Sequence, residues 1–300
     1  FLGISLLTFV LLNLAPGDPA ENLARLQFSG GEPPRAAVVA LRQELGLDDP
    51  LLLRYLRWLA GTFRADLGIS YRTGKPVVAE LGQRLPATLL LTGTSLALAT
   101  ATAVPLGVLA ARRRGSWFDV VSRFIALLGT ALPGYVLALL LILLFAVQLH
   151  WLPAFGFGTE RHLVLPAVTL AAGSAARLMR LTRARLLDVL QQDYIRTARA
   201  KGLSESVVII RHGLPNALLP VVTVLGTTLG HVLGGAVIVE TIFGWPGVGK
   251  YAIDAVFLRD YPVVQIVALY LSVIFLVVST VVDVAYRWLD PRLHFGTLDA

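Results

Sequence analysis

The run Gly244-Trp-Pro-Gly-Val-Gly249-Lys250 has the glycine and lysine spacing of a loop that wraps phosphates. Such a loop needs Ser or Thr next, to ligate magnesium, and Tyr251 stands there instead. No strand-and-helix pattern surrounds it, so nucleotide binding by this chain is not expected. The run reads better as a Gly/Pro turn that tucks Tyr251, Ile253 and Phe257 against the mouth of a pathway. His231 and Glu240 are ionisable groups in one long apolar run, where such groups face protein or water. They fit either a substrate or gate contact, or hydrogen bonds satisfied inside a helix bundle; with Trp245 and Tyr251 they form the candidate pathway set. His150 and His162 flank a connection without carboxylate or thiolate companions at ligand spacing, so no metal site is expected. No Ser-His-Asp or paired-carboxylate arrangement stands out, and the absence of cysteine removes thiolate chemistry. Catalysis by this chain, and a cofactor of its own, are therefore not expected.

The segment from Asp188 to Pro220 carries more information. Gly202 is a natural left-handed terminator for a helix that holds Arg196, Thr197, Ala198 and Lys201. Ser204 then reads as the N-cap of a second short helix, ending near His212. Val189, Leu190, Ile195, Val207, Val208, Ile209 and Ile210 are too many apolar residues for a solvated loop, so lipid or a partner should cover them.

The elements that position this segment follow from composition. The 300 residues are 56% hydrophobic and only 15% charged, with a mean hydropathy of +0.71, whereas a soluble domain carries roughly 25% charged residues. Four uncharged runs are long enough for the about 20 residues that a membrane helix needs: Leu85 to Ala111, Phe124 to His150, Gly213 to Val239 and Tyr261 to Val282. Leu163 to Ala176 makes a fifth span if Leu178, Met179 and Leu181 extend it, with Arg177 and Arg180 reaching toward headgroups. The chain opens at Phe1 inside an apolar stretch and its only methionine is Met179. Residues 1–15 therefore read as a first span truncated upstream, or less well as a signal-peptide core. The expectation is an all-α bundle of about six spans: a truncated helix over 1–15, an extracytoplasmic cap over 16–84, and a core over 85–300 whose cytoplasmic loop spans 182–215.

Orientation comes from the basic residues of short loops. Arg112, Arg113, Arg114 and Arg123 face only Asp119, and the stretch from Arg177 to His212 holds eight basic against three acidic residues. Both belong in the cytoplasm, which leaves both termini there as well. The net charge of +7 is explained by these borders of apolar runs rather than by nucleic-acid binding. In the cap, Leu51, Leu52, Tyr55, Leu56, Leu59 and Phe63 repeat at helical spacing. Gly226, Gly230 and Gly234, and likewise Gly93, Ala97 and Ala101, lie four apart and mark packing seams, within the monomer or at a moving or subunit interface. Pro105 and Pro133-Gly134 invite kinks.

The segment around Gly202 resembles the coupling loop of ABC importer permeases: a Gly, nine residues, an aliphatic position, one residue, then Leu-Pro. Gly202, Leu203 to Arg211, His212, Gly213 and Leu214-Pro215 keep that spacing, and Ala198 falls on one of its alanines. Arg196, Thr197 and His212 depart from its usual Glu, Ala and aliphatic positions. Leu-Ala-Pro-Gly-Asp-Pro at 14–19, Tyr-Ile-Arg-Thr-Ala-Arg-Ala-Lys-Gly at 194–202, Phe-Gly-Trp-Pro-Gly-Val-Gly at 243–249 and Asp-Pro-Arg at 290–292 resemble the dipeptide/oligopeptide permease group. The resemblance implies a type I importer permease in the bacterial inner membrane, paired with a second, similar permease. Two cytoplasmic ATPases would bind ATP and magnesium, and an external binding protein would deliver peptides or, as the group also allows, nickel, glutathione or oligosaccharides. Gly202 would set the bend of the loop, Leu214-Pro215 its return to the membrane, and its basic face the docking. An ion-coupled transporter would need buried acids in mid-span and internal repeats, which are not visible.

Overall fold

The computed structural model describes residues 2–14, 17–28, 32–64 and 66–289. Among them all regular secondary structure is helical, apart from one isolated bridge between Ile69 and Pro76. In order, the helices are α1 (Leu2–Leu14), α2 (Pro19–Gln27), α3 (Arg35–Glu44), α4 (Leu51–Phe63), α5 (Val77–Arg112), α6 (Trp117–Ala131) and α7 (Gly134–Leu141). There follow α8 (Glu160–Val189), α9 (Asp193–Ala200), α10 (Glu205–Val207), α11 (Leu214–Phe243), α12 (Val248–Leu258) and α13 (Tyr261–Leu289). Asp-Pro-Arg at 290–292, and Ala15 and Pro16 of the first motif, lie outside the described residues.

Four helical stretches are long and apolar enough to cross a bilayer, namely Val77–Arg112, Glu160–Val189, Glu205–Phe243 and Tyr261–Val281. Two bent pairs, α1 with α2 and α6 with α7, raise the number to six if each is one crossing. One expected span needs correction. The run Phe124–His150 is not a continuous helix: α6 and the α7 stretch, which continues through π-helical turns to Gln148, meet at 107°. The cause is local. A residue before proline is pushed out of the helical region, and Leu132 is extended, with ψ 124°, ahead of Pro133. Pro105, by contrast, sits within α5, which continues to Arg112.

The chain packs as two compact units, one from residues up to Thr88 with Pro246–Phe275, the other from Leu89–Trp245 with residues after Phe275. The cut therefore differs from the expected boundary at residue 84, because α12 and the start of α13 pack with the N-terminal residues. Val77 and Leu81 of α5 share a core with Val248, Tyr251 and Ala255 of α12 and with Val263, Ile266 and Val267 of α13. Polar groups fasten it. Tyr251 donates its hydroxyl to buried Glu80, and the Arg84 guanidinium lies 4.4 Å over the Tyr251 ring. Burial, together with the Glu80 carboxylate, pushes the Tyr251 hydroxyl up, so it stays a neutral donor. Buried Asp260 accepts from the Tyr71 and Arg72 amides at 3.0 and 3.3 Å, pinning the loop before α5. The expected cap helix is α4, whose Tyr55 and Trp58 stack with Phe9 of α1, while Leu51, Leu52, Leu56 and Phe63 stay exposed.

In the second unit α8 is the central helix, packed by α6, α7 and α11. Its seam with α5 is built from small residues: Ala99, Ala103, Gly107 and Ala111 recur every fourth position and are all buried. The stripe expected to do this, Gly93, Ala97 and Ala101, lies on another face of α5 and is exposed. A Cβ on Gly234 would meet nothing within 4 Å either, so that stripe also ends in open space. A Cβ on Gly107 would stand 2.7 Å from Thr182 Cβ and 2.8 Å from the Met179 carbonyl oxygen. Gly107→Leu is therefore expected to overpack the seam by about 1–3 kcal/mol. Thermal unfolding in detergent should show a lower midpoint than Gly93→Leu, whose site is open.

A buried ion pair holds α6 to α8. Ser116 caps α6 by accepting from the Asp119 amide, and Asp119 in turn accepts from the Gly115 amide at 3.0 Å. Arg183 of α8 grips both oxygens of Asp119, at 2.6 and 2.8 Å. A two-pronged guanidinium fixes orientation as well as distance.

Candidate coupling loop and pathway residues

At the end of the bundle where α8 finishes, Ala111 of α5, Leu186 of α8, Ile209 and Ala217 of α11 form one buried cluster. The loop is built on that base. After α8 the chain turns and Gln192 is extended, which starts α9 afresh. Ile195 and Ala198 are the inward positions of α9, three apart, and they pack with Val208 against Val189 and Leu190. The apolar set of this segment thus divides: Ile195, Val208 and Ile209 are covered by the chain itself, and Val207 and Ile210 are exposed with Tyr194 and Leu203.

Gly202 has φ +79°, the left-handed conformation that stops α9 and reverses the chain. Nothing lies within 4 Å of where its Cβ would be, so backbone conformation rather than space calls for glycine here. Across the bend Arg199 holds both oxygens of Glu205, at 2.7 and 3.0 Å. With both side chains over 40% exposed the pair adds little stability, at most about 1 kcal/mol. Its value is geometric, because it closes the α9–α10 corner. Asn216 donates to the Tyr194 hydroxyl at 2.9 Å and ties α9 to the start of α11.

Arg196, Thr197, Lys201, Gly202 and Leu203 are exposed, Ala198 is buried, and His212 and Leu214 are half-buried. The short helix expected to end near His212 does not end there. It runs from Glu205 into α11 as one helix to Phe243. Pro215 has no N–H to give, and its ring would clash with the carbonyl four residues earlier in a tight α-turn. The wider π-helical turns over Val208–Gly213 come just ahead of it. Exposed Pro215 is thus passed without a break, and α10 and α11 belong to one continuous helix.

The candidate pathway residues do not gather into one site. Glu240 is fully buried in α11, and Trp245 is buried edge-on against Phe157, 4.7 Å between ring centres. The α11 helix ends there through left-handed Gly244, and the Gly156 amide donates to the Phe243 carbonyl at 2.9 Å. The connections around residues 156 and 244 therefore meet at one end of the bundle. Tyr251 belongs to the other unit, bonded to Glu80, and Phe257 is exposed. His231 lines a cavity, and among the described residues it makes no hydrogen bond. The pairs Asp119–Arg183 and Glu80–Tyr251 carried no sequence signal, being separated by 64 and 171 residues.

The described residues thus form a helical bundle with four to six stretches long and apolar enough to cross a membrane, and a glycine-bent, basic helical corner that leads into one of them. Comparison with known proteins fixes the family. Residues 103–295 match the family described as "Binding-protein-dependent transport system inner membrane component", and residues 1–92 match its N-terminal companion. The chain belongs to this family of ABC importer permeases. It is 41% identical over 292 residues to the glutathione transport system permease protein GsiC of Escherichia coli K12, covering 97% of this chain and 94% of that protein. The protein of the same name from Shigella dysenteriae serotype 1 matches to the same extent. Among solved structures, a chain of the inward-facing MetNI methionine ABC transporter superposes with a TM-score of 0.61 at 20% identity, covering 72% of this chain and 98% of that one. An amino acid ABC transporter chain gives 0.54 at 20% identity, covering 70% and 94%.

Proposed function

We propose that this chain is one of two paired permease subunits in the bacterial inner membrane that pass peptide-like cargo inward. An external binding protein delivers the cargo and two cytoplasmic ATPases power the cycle. The carrying observation is the α9–α10 corner: a glycine bend, closed by Arg199 and Glu205, that leaves Tyr194, Leu203, Val207 and Ile210 exposed beside Arg196 and Lys201. Apolar anchors rimmed by cations suit a groove on a partner protein. The corner then faces the cytoplasm with the arginines after α5, both termini lie on that side, and the region ahead of α5 forms an external cap. The exposed stripe Gly93, Ala97, Ala101 suits close approach of the second permease.

Peptide-like cargo is supported by the resemblance of four segments to peptide permeases and by the glutathione permeases among the relatives, glutathione itself being a small peptide. The test is uptake of labelled dialanine and of glutathione by cells carrying the complete importer. Deleting this chain, or removing the ATPases, should abolish uptake of at least one of them. Cells that lose only nickel or sugar uptake on deletion would contradict the cargo class, and uptake that persists without any ATPase would contradict the mechanism.

A further inference from the structure

The second unit contains a cavity of about 390 Å³ at the corner where α6 breaks and α7 begins, walled on its other sides by α8 and α11. That volume lies in the range of small-molecule sites, roughly 300–1,000 Å³. Most of the lining is apolar or glycine, and the polar groups are few: Arg177, Ser174 and Thr169 of α8, His231 of α11, and Tyr135 and Thr130 beside the break, with Thr169 donating to the Leu165 carbonyl of its own helix.

Arg177 is exposed to this space, and among the described residues it has no carboxylate partner, only the Ser174 hydroxyl at 3.3 Å. No described residue of the lining is acidic. Thr130 is occupied by carbonyls of its own helix, whereas His231 and Tyr135 make no hydrogen bond among the described residues. At 1.5 Å per residue, Arg177 lies about 25 Å along α8 from Glu160, and His231 about 18 Å along α11 from Phe243. Both stand within helices long enough to span. A guanidinium at that depth facing lipid would be costly, so it faces protein or a water-filled path. In such a path it needs an anion. Flat, fork-like guanidinium matches a carboxylate with two parallel hydrogen bonds.

We propose that Arg177, with His231 and Tyr135 beside it, forms a station in the translocation path that takes the carboxylate of a small peptide-like substrate. This rests on the peptide reading above, and sharpens it: a fixed cation with no acid near it repels a bare metal cation and offers an uncharged sugar no charge partner. Gly134, where a side chain would meet nothing within 4 Å, keeps the corner open for the rest of the cargo.

The test is equilibrium binding to the assembled importer in nanodiscs, without the binding protein. The probes are labelled dialanine and the same dipeptide as its C-terminal amide. The acid should bind the wild-type complex at least tenfold more tightly than the amide. Arg177→Gln should erase that preference by weakening the acid alone, with roughly the tenfold effect of one charge-assisted hydrogen bond. Arg177→Lys should keep part of it, and complexes of both variants should assemble at wild-type yield. Equal binding of acid and amide by the wild type, a preference that survives in Arg177→Gln, or a loss shared equally by both probes would each overturn the station. The last result would show that Arg177 instead pairs with a carboxylate of the second permease. Failure of the peptide reading is seen separately, as wild-type cells that take up neither dialanine nor glutathione.

Discussion

Gly202→Val is expected to abolish most uptake, by at least tenfold, while the protein still reaches the membrane in normal amount and the ATPases still turn over. The backbone at Gly202 sits at φ +79°. An L-residue held there costs about 1–2 kcal/mol, and a β-branched one is a true outlier. With open space around the missing Cβ, the substitution meets strain and no clash. The strain is relieved by reopening the corner between α9 and α10, which tears the coupling surface without unfolding the bundle. The expected order of uptake is Gly, then Asn, then Ala, then Val, because Asn tolerates the left-handed region best among side-chain-bearing residues. Measuring uptake and ATP hydrolysis together on reconstituted importer checks it. Wild-type uptake by the valine variant would remove the corner from the mechanism.

Asp119→Ala is expected to damage the fold. Asp119 is 1% exposed and neutralises Arg183, whose side chain is 18% exposed. Removing one member of a buried pair typically costs about 3–5 kcal/mol, because the other charge is stranded. The partial exposure of Arg183 puts the expectation near the lower end, about 3 kcal/mol. The Gly115 amide loses its acceptor as well, so the arginine-rich turn before α6 should loosen. In detergent the unfolding midpoint should fall by roughly 6 °C. Asp119→Asn should fall less, since it keeps an acceptor. Replacing both Asp119 and Arg183 with apolar residues should recover much of the loss, and a double variant no better than Asp119→Ala would show that the pair is not the cause.

What the sequence made legible is what depends on neighbours along the chain. The α4 helix was readable from Leu51, Leu52, Tyr55, Leu56, Leu59 and Phe63, and the bend at Gly202 from the glycine after a helical run. The apolar runs gave the spanning helices but not their course. Hydropathy counts composition and is blind to direction, so the 107° corner at Leu132-Pro133 hid inside an uninterrupted apolar run. The short helix after Gly202 was expected to end near His212 and does not, because the π-helical turns ahead of Pro215 accommodate its ring. Small-residue stripes showed a similar ambiguity. Two stripes on α5 have the same spacing, and only packing tells that 99, 103, 107 and 111 face inward while 93, 97 and 101 face outward. Among pathway candidates, ionisable character alone selected both His231 and Glu240, yet one opens on a cavity and the other is sealed in the bundle. Arg177, read from the sequence only as the basic border of a span, also lines that cavity.

In the proposed cycle the α9–α10 corner meets an ATPase on the cytoplasmic side. The chain has no cysteine, so a single one at exposed Ser204 can be labelled without background. A membrane-impermeant maleimide should leave it untouched on intact cells, label it in inside-out vesicles stripped of the ATPases, and label it far more slowly once the ATPases are restored. Rapid labelling from outside intact cells would contradict the account.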